Sequence, residues 1–392
     1  MRRGGFWLVT YVFVTVMVGA TLPTPLYVLY QARWHFSSGI VTLIFASYAA
    51  GVLAALLLAG RASDQVGRRP VLAAAVGFSA ASTLAFILAG STAWLFAGRV
   101  LSGVAAGLVT GTGTATLSEF AGPASLRRAS VVATAAATGG LGLGPAIAGF
   151  FAEYAPHPTT LVFDVYLVLL VGAVVALAFV PETVEARQRL AIGFVGLRLP
   201  DAGRGEFLAA GVAGLASLAL LGLFTALAPS FLGGVLDVHN RAATGSVVFM
   251  LFAASTVAQI ALGRTAPSRS TTAGLGLYLV ALALIVVALS VESLALFLPA
   301  TVIGGLAAGA AFVGSLSTAN RLAPAHSRGQ VVSTYFVFAY VGLTIPVIAI
   351  GFTADEIGFL RAVSYSSVAM AALCVGTLWV LRQRRSLVAG AE

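Results

Sequence analysis

Long uninterrupted apolar runs recur along the whole chain and restrict its fold more than any other feature. Each run is about 20 residues long, which is the length that an α-helix needs to cross the hydrocarbon core of a bilayer. The runs do not alternate between apolar and polar residues, so they do not indicate the strands of a membrane barrel. We therefore predict an all-α membrane protein with twelve transmembrane helices. The predicted spans are residues 6–30, 38–59, 71–90, 94–117, 129–151, 160–180, 207–230, 243–262, 272–291, 294–317, 331–352 and 362–381.

The composition agrees with this prediction and argues against a soluble protein. Hydrophobic residues make up 59% of the chain and charged residues only 9%, whereas soluble domains carry roughly 25% charged residues. The net charge of +9 comes from arginines scattered between apolar runs, so we expect no nucleic-acid partner. The first apolar run is too long for a signal peptide and is interpreted as the first span.

The arginines also predict how the chain crosses the membrane. All 22 basic residues are arginines. If the N-terminus is cytoplasmic, eighteen of them fall in cytoplasmic segments, three (Arg33, Arg241 and Arg361) fall in outer segments, and Arg99 falls inside a span. Such an excess on one side is the positive-inside pattern. We predict a multi-pass protein of the inner (plasma) membrane with both termini in the cytoplasm.

A weak internal repeat divides the chain into two halves. The sequence Gly-Val-Ala-Ala-Gly at 103–107 matches Gly-Leu-Ala-Ala-Gly at 305–309, and Gly60-Arg61 matches Gly263-Arg264. The matched positions are separated by nearly the same number of residues in both pairs, as expected for a repeat. Chance similarity among Gly- and Ala-rich helices is the alternative. We predict two pseudo-symmetric six-helix bundles, residues 1–180 and 207–392, joined by a polar cytoplasmic linker at 181–206.

The loop after the second span carries one acid among three arginines, in the order Gly60-Arg-Ala-Ser-Asp64-Gln-Val-Gly67-Arg68-Arg69. It resembles the signature loop of the major facilitator superfamily, Gly-x-x-x-Asp-x-x-Gly-Arg-Arg/Lys, and the span count and repeat extend this resemblance over the whole chain. The resemblance implies the major facilitator fold. It also implies that Gly60, Asp64, Gly67, Arg68 and Arg69 form a charged latch that holds the cytoplasmic side closed in one state. A generic positive-inside loop is the alternative.

Arg99 lies five residues into the fourth span, where a charge is costly unless it faces water or a partner. Arg99, Gly103 and Gly107 recur every fourth residue and therefore share one helix face, on which glycines permit close helix packing. They fit the Arg-x-x-x-Gly pattern of the superfamily, which implies that Arg99 influences proton transfer or substrate charge in the cavity. Alternatively, the side chain of Arg99 extends so that its guanidinium lies at the outer membrane–water interface while its aliphatic part stays in the apolar region.

A glycine- and proline-rich segment lies in the fifth span. Pro145 has no N–H group and leaves the carbonyl of Leu141 without its helical partner, which softens the helix. The segment resembles the antiporter motif of the superfamily, although Ala148 replaces one glycine, and the resemblance implies efflux against protons. A kink with no bearing on direction is the alternative. The motif residues are Gly140, Gly144, Pro145 and Gly149.

Proton antiport needs a group that binds and releases protons in the cavity, usually a carboxylate. No acid lies in the middle of a predicted span. Asp164, some four residues into the sixth span, is the candidate that remains, followed by Glu153. Each of them could equally be a solvated charge at a helix end.

We expect an apolar cavity with aromatic and hydroxyl groups, which suits neutral or amphipathic solutes. Pro23 and Pro25 are expected to break the first span near its outer end, which helps a gating element to bend. The predicted polar groups of the cavity are Tyr27, Tyr30, Tyr48, Tyr335 and Tyr340. Packing or membrane-interface roles for these tyrosines are the alternative.

Together these patterns predict a secondary active transporter that exports a small solute by alternating access, coupled to protons. A facilitator or importer of the same fold, or a membrane sensor, is the alternative. An enzyme is not expected, because the four histidines lie far apart in loops and no hydrolase, zinc-protease or phosphate-loop motif occurs. We expect no cofactor and no metal. The expected partners are a small-molecule substrate, membrane lipid and protons, with the chain acting as a monomer.

Overall fold

The computed structural model describes residues 2–184, 188–191, 193–234 and 236–389, and within them the chain is helical with no strand. Arg187, one of the arginines assigned above to the cytoplasmic side, and residues 185, 186 and 192 of the predicted linker lie outside the described residues. The helices are α1 (Arg2–Thr21), α2 (Tyr27–Trp34), α3 (Ser38–Ala59), α4 (Ala62–Val66), α5 (Arg68–Ile87), α6 (Thr92–Ala121), α7 (Leu126–Thr134), α8 (Gly140–Tyr154), α9 (Leu161–Ala178), α10 (Arg204–Gly234), α11 (Arg241–Leu262), α12 (Pro267–Ser290), α13 (Leu294–Leu322), α14 (Arg328–Ile357) and α15 (Phe359–Ala389).

Twelve segments of the described residues are long and apolar enough to cross a membrane, which confirms the predicted fold class and span count. The first span combines α1 and α2, and the fifth combines α7 and α8. Several helices continue beyond the apolar run that predicts them, since a helix can extend into the polar interface. For this reason the third span begins at Arg68 rather than at residue 71.

Two spans are interrupted where the sequence disfavours a regular α-helix. A 3₁₀ turn at Thr24–Leu26 separates α1 from α2, next to the prolines that were expected to break the first span. A π-helical turn at Ala135–Gly139 separates α7 from α8. Such π turns are frequent at functional sites, and this one immediately precedes the glycine- and proline-rich motif.

The chain folds into two compact units. Unit 1 consists of Met1–Ser37, Leu43–Val195 and Asn240–Phe249, and unit 2 consists of Ser38–Thr42, Gly196–His239 and Met250–Glu392. The boundaries proposed from the sequence, 1–180, 181–206 and 207–392, remain a prediction.

Unit 2 has an aromatic core, formed where α10, α13 and α14 pack together. Tyr335 and Phe207 are fully buried there, with Phe312 and Phe336 packed against the same cluster. Gly309 lies so close to the carbonyl of Ser255 that no side chain would fit between α13 and α11. Small residues thus allow close helix packing in unit 2.

The polar stretch after the sixth span is anchored to the rest of the chain by backbone hydrogen bonds. The N–H of Gln188 donates to the carbonyl of Gln65 (2.6 Å) and that of Val195 to the carbonyl of Leu57 (2.8 Å), both within unit 1. In unit 2, the N–H of Arg198 donates to Oγ1 of Thr334 at 2.9 Å. The described part of the predicted linker is therefore held at both of its ends.

Candidate functional site

The guanidinium of Arg68 is the centre of a polar cluster at one end of unit 1. Its Nη1 donates to Oδ1 of Asp64 and to Oγ of Ser63, each at 2.6 Å. Its Nη2 donates to Oε1 of Glu119 at the end of α6, at 2.8 Å. Both carboxylates are partly exposed, so each ion pair is weak by itself. One arginine shared by two acids can exchange partners when the surrounding helices move.

Glu182 attaches the segment after α9 to the start of α5. Its Oε1 accepts hydrogen bonds from the backbone N–H groups of Arg68 (2.8 Å), Thr183 (2.9 Å) and Val184 (3.1 Å), and its Oε2 from that of Arg69 (3.2 Å). Partial burial alone would raise the pKa of Glu182, but these hydrogen bonds outweigh it and lower the pKa below 4.5. The carboxylate also occupies the N-terminus of α5, where the helix dipole favours a negative charge.

The structure brings together only part of the predicted latch. Asp64 and Arg68 are paired, and Gly67 has a positive φ (109°) beside Glu182, where a side chain would collide with the carboxylate. Arg69 contributes its backbone N–H to Glu182, while its side chain is exposed. Gly60 lies at the end of α3, before the cluster. The gating role of these residues remains a prediction.

Arg99 is buried, with 1% of its surface exposed. Nη1 donates to the carbonyl of Ala20 at 2.5 Å, and Nη2 to that of Phe45 at 3.4 Å. Because α1 ends at Thr21, the Ala20 carbonyl is one of those that a helix leaves without an internal partner. A cation at the C-terminus of a helix is also favoured by the helix dipole. Arg99 therefore caps α1 and does not extend to an exposed interface.

Aromatic rings cover the Arg99 guanidinium, whose central carbon lies 4.6 Å from the ring centre of Tyr48 and 5.5 Å from that of Phe45. Such contacts stabilise a desolvated cation by about 2 kcal/mol. Nε of Arg99 has no hydrogen-bond partner among the described residues. The site thus combines a buried positive charge with an unused donor.

The glycine face that follows Arg99 packs against α3. A side chain at Gly103 would collide with the carbonyl of Tyr48, and a Cβ at Gly107 would lie 2.7 Å from Cβ of Ala55. Gly111, one turn further along, faces open space. Gly103 and Gly107 therefore allow the backbones of α6 and α3 to come close together, which is the structural role expected for small residues in membrane helices.

The motif of the fifth span packs against α1. A Cβ at Gly140 would lie 2.7 Å from Cβ of Met17, and one at Gly144 would collide with the carbonyl of Val18. Oγ1 of Thr21 donates to the carbonyl of Leu141 at 2.7 Å. This is the carbonyl that Pro145 deprives of its helical donor, so a side chain of α1 satisfies it.

The outer part of the same motif contacts residues 240–249, which belong to unit 1. A side chain at Gly149 would collide with the carbonyl of Arg241. Oε2 of Glu153 accepts a hydrogen bond from the Arg241 N–H at 2.9 Å. Glu153 therefore contacts the start of α11 and is engaged by a backbone donor.

Three predicted cavity residues lie in unit 1 and are buried: Tyr27, Tyr30 and Tyr48. The hydroxyls of Tyr27, Tyr30 and the neighbouring Thr24 have no hydrogen-bond partner among the described residues. Buried polar atoms normally have a partner, so these groups remain available to water or a bound solute.

Tyr335, Tyr340 and Asp164 differ in their surroundings, and their proposed roles in the cavity remain predictions. Tyr335 is a core residue of unit 2 whose hydroxyl is paired with Oγ of Ser315 at 2.8 Å. Its ring lies against Gly214, where a Cβ would collide with it. Asp164 is exposed in the first turn of α9, since solvent can solvate a charge at a helix end, and it does not lie in the buried surroundings of Arg99. Tyr340 is half-buried on α14.

Sequence reasoning missed several residues that complete these sites. Glu119 binds the guanidinium of Arg68, and Glu182 binds the backbone at the start of α5. Oγ1 of Thr183 donates to Oε2 of Glu119 at 2.5 Å, which joins the two acids. The backbone carbonyls of Ala20 and Phe45 carry no sequence signal.

Comparisons with known proteins agree with one another. A sequence profile described as "Major Facilitator Superfamily" matches residues 8–346. A transporter of Bacillus subtilis (strain 168), the MFS-type YceJ, is 28% identical over 171 residues, which are 43% of this chain and 44% of the relative. The match thus spans less than half of that relative's length.

Two solved structures have the same fold. The human organic anion transporter MFSD10 (TETRAN) gives a TM-score of 0.70 at 18% identity, over 97% of this chain and 99% of that one. A bacterial homologue of the human lysosomal transporter Spinster, solved in an inward-facing, occupied conformation, gives a TM-score of 0.72 at 14% identity, over 96% and 95% of the two chains. At these identities the likeness concerns the fold.

Proposed function

The chain belongs to the Major Facilitator Superfamily and is a multi-pass membrane transporter rather than an enzyme; from this premise we propose that it exports a small neutral or amphipathic solute by alternating access. We place it in the inner membrane with cytoplasmic termini, as the distribution of its arginines indicates. The proposed partners are the solute, membrane lipid and, for coupled export, protons.

The contact between α1 and α8 is the observation that carries this proposal. At Gly140 and Gly144 the helices approach without an intervening side chain, and the carbonyl released by Pro145 is bound by Thr21 rather than by its own helix. Such a helix can bend at the proline while its neighbour keeps the released carbonyl satisfied. The likeness of this motif to that of antiporters supports export as the proposed direction.

The chemistry around Arg99 supports the class of solute. The buried hydroxyls of Thr24, Tyr27 and Tyr30 lack partners among the described residues, and the rings of Phe45 and Tyr48 flank the only arginine inside a predicted span. Apolar surface with a few unused polar groups suits an amphipathic solute.

Facilitated diffusion without protons is the second candidate, and it is favoured by one observation. Among the described residues, the buried polar side chains include no aspartate and no glutamate. A carboxylate that carries protons across the membrane is expected to be shielded from water for part of its cycle. Coupling to protons would therefore require an acid that becomes enclosed in another conformation.

Transport assays in inside-out vesicles distinguish the two candidates. For coupled export, vesicles that contain the chain should accumulate an amphipathic fluorescent cation or anion when their interior is acidic, and a protonophore should abolish the accumulation. A facilitator should equilibrate the solute without accumulation, whether or not the gradient is present. Vesicles that never differ from empty ones with any solute of a broad panel would contradict both candidates.

Ligand binding tests the role of Arg99 separately. A thermal-shift screen of purified protein against drugs, sugars, amino acids and organic anions should identify a stabilising ligand. We expect that Arg99→Gln will lower its affinity by about tenfold, which corresponds to roughly 1.4 kcal/mol. Equal stabilisation of both proteins would show that Arg99 has no part in binding.

A further inference from the structure

A groove runs along the outside of unit 1 between α5 and α9. Its volume is about 420 Å³. Small residues of α5 form one wall, namely Ala73, Gly77 and Ala80, and apolar residues of α9 form the other. Arg69 lies at one end of it.

Residue size and helix periodicity create this groove. Positions 69, 73, 77 and 80 lie three or four residues apart and therefore share one face of α5. A Cβ at Gly77 would meet nothing within 4 Å. On the opposite wall, Val171 and Val174 are 63% and 58% exposed. In a membrane protein, an open apolar groove of this kind is covered by hydrocarbon.

The length of the groove corresponds to one leaflet of the bilayer. Its α5 wall extends from Arg69 to Ala80 and its α9 wall from Ala178 back to Leu167. Eleven residue steps at 1.5 Å per residue give about 16 Å, and half of a hydrocarbon core is about 15 Å. Arg69 therefore lies near a membrane surface when the groove lies in the adjoining leaflet.

The nearby acids are engaged by groups other than the Arg69 side chain. Asp64 and Glu119 bind Arg68, and Glu182 binds backbone N–H groups. Within the part of the chain that the structure describes, no acceptor lies within bonding distance of the Arg69 guanidinium. A guanidinium fork matches the geometry of a phosphate group, and basic pockets between spans on the cytoplasmic side bind anionic headgroups.

We propose that this groove binds one anionic glycerophospholipid, with its phosphate on Arg69 and an acyl chain along Ala73, Gly77 and Ala80. A second groove, in unit 2 between α14 and α15, has a volume of about 380 Å³ and no charged residue in its lining. That groove can hold an acyl chain, but it offers no cation to select the headgroup. Of these two grooves among the described residues, the α5–α9 groove is the one that offers a cation for an anionic headgroup.

Native mass spectrometry of the full chain in detergent tests the proposal, with added phosphatidylglycerol or phosphatidylcholine of equal chain length. The wild-type protein should retain one phosphatidylglycerol at about a tenfold lower concentration than phosphatidylcholine. Arg69→Gln should abolish this preference. Gly77→Leu should lower the retention of both lipids, since the leucine fills the path of the acyl chain.

Matched substitutions in α12 serve as controls. Arg269→Gln removes an exposed arginine from the first turn of that helix, and Gly276→Leu fills another glycine position that faces open space. Both should leave the preference and retention unchanged. Circular dichroism and the unfolding temperature verify that each variant is folded.

The proposal would be overturned by equal retention of the two lipids by the wild-type protein, by an unchanged preference in Arg69→Gln, or by equal effects of Gly77→Leu and Gly276→Leu. A dimer that Gly77→Leu dissociates would also overturn it, because a second copy of the chain would then fill the groove.

Discussion

Glu182 links the ionisation of one side chain to the stability of unit 1. Backbone hydrogen bonds lower its pKa below 4.5 despite partial burial. Because the pKa in the folded state is below that in the unfolded state, the charged form stabilises the fold above about pH 4.5. This contribution is lost as the pH falls through the lowered pKa.

The substitution Glu182→Gln should therefore have two effects at the residue scale. It should lower the unfolding temperature at pH 7, since a neutral amide accepts weaker hydrogen bonds than a carboxylate. It should also reduce the fall in unfolding temperature between about pH 5 and pH 3. Differential scanning fluorimetry in detergent measures both, with Glu292→Gln, an exposed acid on a turn before α13, as the control. Parallel pH profiles for wild type and Glu182→Gln would refute the link.

At the scale of helices, Gly103 sets the distance between α6 and α3. Gly103→Val should force the two backbones apart, because its side chain would meet the carbonyl of Tyr48, and overpacking costs about 1–3 kcal/mol. Gly111→Val, two turns along the same helix and facing open space, should be tolerated. The yield of monodisperse protein and its unfolding temperature compare the two variants. Equal behaviour would show that the α3–α6 contact is not tight.

Thr21 and Pro145 offer a second prediction about helices. Thr21→Val should cost about 1–3 kcal/mol, because the Leu141 carbonyl loses its donor. In a Pro145→Ala protein the same change should cost less, since residue 145 regains an N–H group that can bind this carbonyl. A double-mutant cycle on unfolding temperatures measures the difference. Additive effects would mean that the hydroxyl does not compensate for the proline.

The elements were predictable to different degrees for physical reasons. Apolar runs predict helices well, because lipid requires every backbone group to be satisfied within the helix, and Pro23 and Pro25 predict the break after α1. The partners of Arg68 and Arg99 were not predictable. Glu119 and Glu182 are distant from Arg68 in sequence, and the Ala20 carbonyl is available to Arg99 only because α1 ends there.

At the scale of the whole molecule, the predicted orientation can be tested by labelling. Cys374 is the only cysteine and is 1% exposed, so Cys374→Ser should provide a silent background. In that background Ser125→Cys, before α7, should react with a membrane-impermeant maleimide only in inside-out vesicles. Ser91→Cys, between α5 and α6, should react only in right-side-out vesicles. Labelling of both from one side would refute the predicted topology.

The connection between the two units is short and is anchored on both of its sides. Val195 is tied to Leu57 within unit 1, and Arg198 is tied to Thr334 within unit 2. Three peptide units join Val195 to Arg198, and at 3.8 Å each they reach about 11 Å at full stretch. This stretch can therefore extend only to that length while both hydrogen bonds are kept. A longer extension requires the Val195–Leu57 or the Arg198–Thr334 hydrogen bond to break first.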